Sequence, residues 1–289
     1  MATSAQWVEG ARLRTLPASI SPVLAGTGAA GAAEGIVWWK AALALVVAVS
    51  LQVGANYAND YSDGVRGTDT RRVGPARLVG SGAASPRAVL TAAIASFGVA
   101  ALAGLVLVAT STWWLLAAGA AAIAGAWFYT GGPRPYGYRA LGELGVFVFF
   151  GLFAGLGTTF VQLGHLTAPA WIAAVATGAY ACAILVANNL RDIGTDAASG
   201  KRTLAVVLGD RATRALYVAL VVVAQLLGVL AAWTHPWAAL SLAALVVSAP
   251  AAARTARGAR GMDLVTVLRD TGRAELVFAV LLGVGLAAG

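Results

Sequence analysis

The sequence predicts an all-α integral membrane protein, a bundle of nine transmembrane helices around a central cavity that opens to the cytoplasmic side. Composition is the first reason: of 289 residues 59% are hydrophobic and 11% charged, with a mean hydropathy of +0.78, whereas soluble chains carry about 25% charged residues. The second is that the apolar residues gather into nine runs, each near the ~20 residues that a helix needs to cross a hydrocarbon core about 30 Å thick. The third is the distribution of basic residues between those runs, which is strongly one-sided. Segments of alternating polar and apolar residues, the mark of a membrane β-barrel, are absent.

The first run, 15–33, follows Arg12 and Arg14 and is interrupted by Pro17, Ser19, Ser21 and Pro22. It reads as a retained helix, because removing it as a leader would break the pairing of spans with charges. The second, 38–58, runs into an acidic cluster; the third and fourth cover 88–109 and 112–130. The fifth, 141–163, carries Gly151, Gly155 and Gly157, a spacing of small residues that reads as close helix packing. The sixth, 169–190, holds the single cysteine, Cys182, read as a packing residue, and ends in a second acidic cluster. The last three cover 212–233, 237–253 and 271–288. Trp38, Trp39, Trp113 and Trp233 fall at run ends as an aromatic belt, and His165 and His235 fall in short external loops. The two acidic clusters lie 132 residues apart, which suggests a pseudo-repeat inside one domain, residues 1–289.

With the amino terminus in the cytoplasm, 19 of the 20 Lys and Arg residues fall in cytoplasmic segments and only Lys40 falls outside. The net charge of +8 is then a matter of topology, and no nucleic acid partner is expected. The expected setting is the plasma membrane, crossed many times, with both acidic clusters at the cytoplasmic ends of their helices.

Those clusters carry the chemistry. Each repeats Asn-xxx-Asp, Asn56 with Asp60 and Asn188 with Asp192, and adds Asp63 or Asp196 three or four residues later. At helical spacing each projects an amide and two carboxylates from one face. Carboxylates near membrane depth are costly unless paired or metal-bound. Two such stripes suit a hard divalent cation such as Mg²⁺, with waters and substrate phosphates completing its shell. Basic loops stand beside them: the Gly- and Arg-rich segment 64–86, the Tyr- and Arg-containing segment 129–139, and Gly200-Lys201-Arg202-Thr203. Cations beside carboxylates suit a bound polyanion, and a polyprenyl diphosphate combines such a head with a tail that belongs in the lipid bilayer.

The stretches Asn56 to Asp69, Gly74-Pro75, Tyr129 to Pro133 and Asn188 to Gly209, with Asp192-xxx-Asp196 at the centre of the last, resemble the UbiA superfamily of intramembrane prenyltransferases. Within it they are similar to the branch that prenylates 1,4-dihydroxy-2-naphthoate in menaquinone synthesis. The resemblance spans nearly the whole chain. It implies that Asp60, Asp63, Asp192 and Asp196 ligate Mg²⁺, two ions bridging the Asp motifs and the diphosphate, with Lys201 completing the catalytic set. Asn56 and Asn188 would orient the carboxylates, and Arg66, Arg72 and Arg134 would contact the diphosphate. Asn59, Asp69, Tyr129, Tyr138, Asn189 and Arg191 complete the implied substrate-binding set. Two positions depart from the broad pattern: Gly67 stands where a third Asp is usual, with Asp69 two residues on, and Arg134 replaces a Lys, keeping the charge but changing the hydrogen-bond geometry. The implied reaction joins a ring carbon of the naphthoate to the prenyl group with loss of diphosphate and CO₂, giving demethylmenaquinone. Another small aromatic acceptor such as 4-hydroxybenzoate stays open. So does, from a different class, a cation-coupled transporter, although carboxylates at helix ends beside cation-repelling Arg loops argue against it.

Overall fold

A computed structural model describes residues 2–67 and 77–289. The expected site residues Asp69 and Arg72, and the Gly74-Pro75 pair, lie outside the described residues. A short helix α1, Ser4–Gly10, is closed at its start by reciprocal Thr3 and Gln6 side-chain bonds to backbone. It is followed by α2 Pro17–Gly31, α3 Trp38–Arg66, α4 Pro86–Ala109, α5 Leu115–Phe128, α6 Gly142–Leu163, α7 Ala168–Ala198, α8 Leu204–Thr234, α9 Pro236–Ala256 and α10 Met262–Ala288. The described residues contain no strand; the nearest approach is an isolated bridge between Arg139 and Arg202.

Every expected run has its helix. Seven of them, α3, α4 and α6 to α10, are long and apolar enough to cross a membrane. The other two, α2 and α5, are 15 and 14 residues long, about 22 and 21 Å at 1.5 Å per residue. The runs end too early at the acidic clusters: 38–58 continues to Arg66 and 169–190 to Ala198. Hydropathy falls at the first carboxylate, but nothing there breaks the backbone, so the polar turns stay helical. Both Asn-xxx-Asp units therefore have the helical spacing on which their reading depends. In α8 the expected start at 212 follows a kink at Gly209, whose φ of 76° only glycine adopts readily.

Helix α7 is the spine. Most of its apolar span is buried, and its alanine-rich surface packs with α2, α8 and α10 around Tyr180, Tyr217, Phe278 and Leu282. Lipid gives helices little hydrophobic reason to associate, so small residues that let backbones approach do much of the work. A Cβ on Gly28 would lie 2.2 Å from the Gly283 Cα, and one on Gly151 would lie 2.7 Å from the Gly178 Cα. Gly155 likewise packs on Ala174, but Gly157 has no neighbour within 4 Å of a Cβ position, so the packing reading fails at that residue. Cys182 is buried as expected, its thiol donating to the Glu143 carbonyl at 3.2 Å. The belt tryptophans are exposed, Trp233 most of all at 87%.

Candidate active site

A cavity of about 860 Å³ runs through the bundle, lined mainly by α2 to α7 with contributions from α1 and α10. Along α3 its lining recurs every three or four residues from Ala44 to Asp63, about 28 Å of helix. One end is polar and charged, with Asn56, Asn59, Asp60, Asp63, Tyr129, Asn188, Asn189, Arg191 and Lys201 on its wall. The rest is apolar, walled by Val47, Leu51, Ile123, Phe149, Phe153 and their neighbours. Two helix ends distant in sequence thus meet at one mouth.

Among the described residues, backbone amides and hydroxyls donate to the first motif. The Asp60 carboxylate accepts the backbone N–H groups of Leu78 and Val79 at 2.8 and 3.0 Å, which fastens the chain after α3 over the site. Asp63 accepts the Tyr138 hydroxyl at 2.6 Å, and Asn59 accepts the Thr130 hydroxyl at 2.6 Å. The amide nitrogen of Asn56 donates to the Ala11 carbonyl at 2.9 Å, so this residue tethers the amino-terminal segment as well as facing the cavity. The Arg66 guanidinium is exposed and donates to the carbonyls of Thr130 and Gly132.

The second motif is held by cations. Arg191 grips Asp192 with two bonds of 2.7 Å and reaches the Asn188 amide oxygen at 3.0 Å. The Lys201 ammonium lies 4.0 Å from Asp196 and 5.0 Å from the centre of the Tyr138 ring. Asp192 and Asp196 are set back from the cavity lining, and Arg191 and Lys201 present their charges to it. Arg134 is exposed and also off the lining.

Tyr138 joins the two motifs. Its loop is pinned by paired backbone bonds, Ala140 N–H to the Arg202 carbonyl at 2.8 Å and Arg202 N–H to the Tyr138 carbonyl at 3.2 Å. Its ring then stands between Asp63, Arg66 and Lys201. Neighbouring Tyr136 lines the cavity and donates to the Gly125 carbonyl at 2.9 Å; burial pushes its hydroxyl up to about 12, so it remains a donor at any working pH.

Sequence reasoning missed several wall residues. Arg12 and Arg14, read there as topology signals, line the charged end together with Glu9, and Arg77, from the Arg-rich segment 64–86 already expected beside the clusters, joins them. Glu143 is buried and accepts the Asn189 amide at 2.9 Å. Arg12 has a left-handed backbone, φ 56° and ψ 61°, a conformation costing a non-glycine residue about 1 kcal/mol or more and often kept for function. No signal in the sequence marks it.

Among the described residues no three His, Cys, Asp or Glu side chains gather closely enough to hold a metal by themselves. That suits Mg²⁺, which is bound through one or two carboxylates while phosphates and waters supply the remaining ligands. Asp60 and Asp63 present carboxylate oxygens on the wall, and a carboxylate oxygen has more than one lone pair to offer. Arg12, Arg77, Arg191 and Lys201 surround them with positive charge for a polyanion.

Residues 19–263 match the UbiA prenyltransferase family. The chain is 56% identical over 289 residues, all of this chain and 99% of the relative, to the 1,4-dihydroxy-2-naphthoate octaprenyltransferase of Mycobacterium tuberculosis. It is 54% identical to the Mycobacterium leprae protein of the same name, over 97% of this chain and 95% of that one. In fold it resembles a UbiA homologue from Archaeoglobus fulgidus bound to GPP and Mg²⁺, with a TM-score of 0.72 at 15% identity over 98% of this chain and all of that one. An all-helical bundle, a charged mouth built from two Asn-xxx-Asp helix ends and matches across almost the full sequence agree, and the chain belongs to the UbiA prenyltransferase family.

Proposed function

We propose that this protein transfers a polyprenyl group from polyprenyl diphosphate to 1,4-dihydroxy-2-naphthoate, releasing diphosphate, CO₂ and a proton and forming demethylmenaquinol, the hydroquinone form of demethylmenaquinone. The carrying observation is the shape of the cavity: one continuous space about 28 Å long along α3, with carboxylates and five cationic side chains at one end and apolar wall beyond. Only an amphiphile with a polyanionic head and a long hydrocarbon tail uses both halves. The acceptor is taken from the named relatives.

In this reading Asp60, Asp63, Asp192 and Asp196 would hold Mg²⁺, which when bound would neutralise the diphosphate and make it a better leaving group. Lys201 and Arg191 stabilise the negative charge that grows on the bridging oxygen as the C–O bond breaks. Tyr138 keeps Asp63 and Lys201 in register. The apolar wall excludes water, so the allylic cation meets the naphthoate ring rather than hydroxide. Residues 1–289 act as one domain with all nine principal helices crossing the plasma membrane and the charged mouth facing the cytoplasm.

The test uses purified protein in lipid nanodiscs with octaprenyl diphosphate and either the naphthoate or 4-hydroxybenzoate. Product is expected with the naphthoate alone and only while Mg²⁺ is present. Full turnover after exhaustive chelation would sink the metal role, and preference for 4-hydroxybenzoate would sink the acceptor.

A further inference from the structure

We infer that Gly104, Gly119 and Gly157 form a gauge for prenyl chain length at the apolar end of the cavity; this rests on the prenyl-transfer reading above. The three lie on different helices, α4, α5 and α6. Each lines the cavity, and so do the residues one turn before and after it: Ala100 and Val108, Leu115 and Ile123, Phe153 and Val161. Positions four before and four after fall on the same helical face, so each glycine sits at the middle of the face its helix turns to the cavity.

None of the three is needed for packing. A Cβ on Gly119 or Gly157 would meet nothing within 4 Å, and one on Gly104 would meet only the Val47 methyl at 3.9 Å. Gly28, Gly151 and Gly155, by contrast, press on neighbouring helices at 3.0 Å or less. Glycine is a poorer residue than alanine inside a helix. At these three positions its smallness benefits only whatever fills the cavity.

Depth identifies that occupant as the far part of the tail. Val47, which faces Gly104, stands 13 residues before Asp60 on α3, about 20 Å along the axis. At the reach of an extended covalent chain, a geranyl group spans about 10 Å and an octaprenyl group over 35 Å. The short tail ends before the glycines and the long one must pass between them.

The experiment is competition between geranyl and octaprenyl diphosphate at equal concentration, with the naphthoate acceptor and Mg²⁺, read as the ratio of the two products by mass spectrometry. The ratio does not depend on how much protein is folded. Gly119→Phe should shift it at least tenfold toward the geranyl product and Gly119→Ala less than threefold, with Gly104→Leu and Gly157→Leu reproducing the shift. Gly98→Phe is the control: it is on α4, also has open space around a Cβ, and is off the cavity, so the ratio should stay at the wild-type value. An unchanged ratio in all three gauge variants, or the same shift in Gly98→Phe, overturns the gauge. Wild-type protein that prenylates nothing would instead overturn the reaction on which it rests.

Discussion

The ends of α3 and α7 carry the same Asn-xxx-Asp pattern in different electrical surroundings. On α3 the carboxylates accept from uncharged groups, the amides of Leu78 and Val79 and the hydroxyl of Tyr138, and both face the cavity. On α7 they are gripped by Arg191 and approached by Lys201, and both are set back from the wall. A carboxylate bonded to neutral donors keeps its charge available to a cation. One bonded to a guanidinium is largely neutralised and serves first to aim that guanidinium. The same Asn-xxx-Asp unit thus ends, in this conformation, in an Asp60 held by loop amides at the cavity wall and an Asp192 that aims a guanidinium at the same cavity.

The comparison breaks most decisively at Asp60. Asp60→Asn keeps the shape and can still accept a loop amide, but it removes the anion, so turnover at saturating Mg²⁺ should fall by at least about 10²-fold. Turnover within tenfold of wild type, measured on protein of normal gel-filtration profile, would reduce Asp60 to a loop anchor. On α7 the charge pair itself can be opened. Asp192→Asn leaves the Arg191 guanidinium buried beside an uncharged partner, at a cost of about 3 kcal/mol. Arg191→Gln in the same protein should recover most of the lost thermal stability while turnover stays low. If the two changes instead add to within about 0.5 kcal/mol in melting experiments, the grip is not an energetic unit. The smallest effects separate two cations that the sequence treats alike. Lys201→Ala should raise the KM for prenyl diphosphate about tenfold, the worth of one charge-assisted hydrogen bond, and leave the acceptor KM unchanged. Arg134→Ala, exposed and off the wall, should change either constant less than twofold, and a larger change would bring that loop into the site.

What could be read in the sequence was local. Helical spacing within each cluster and the nine apolar runs depend on residues a few positions apart or on composition, and each has its helix in the fold. The parts played by Arg12, on the charged wall, and by buried Glu143 were not legible, because they lie in pairings such as Asn189 with Glu143, 46 residues apart, and Asn56 with the Ala11 carbonyl, 45 apart. Gly157 shows the same limit. It follows Gly151 and Gly155 in one glycine-rich run, and only the neighbouring helices reveal that two of the three are pressed against backbone and one against empty space.

The continuation of α3 past its apolar run bears on how substrate arrives. From Trp38, an exposed belt residue, to Asp60 is 22 residues, about 33 Å of helix, slightly more than the thickness of the hydrocarbon core. For a helix near the membrane normal with Trp38 at one interface, the carboxylates stand at the level of the opposite leaflet's phosphates. A prenyl diphosphate in that leaflet then has its head and its tail at the depths the cavity offers, so binding draws no charge into hydrocarbon and lifts no tail into water.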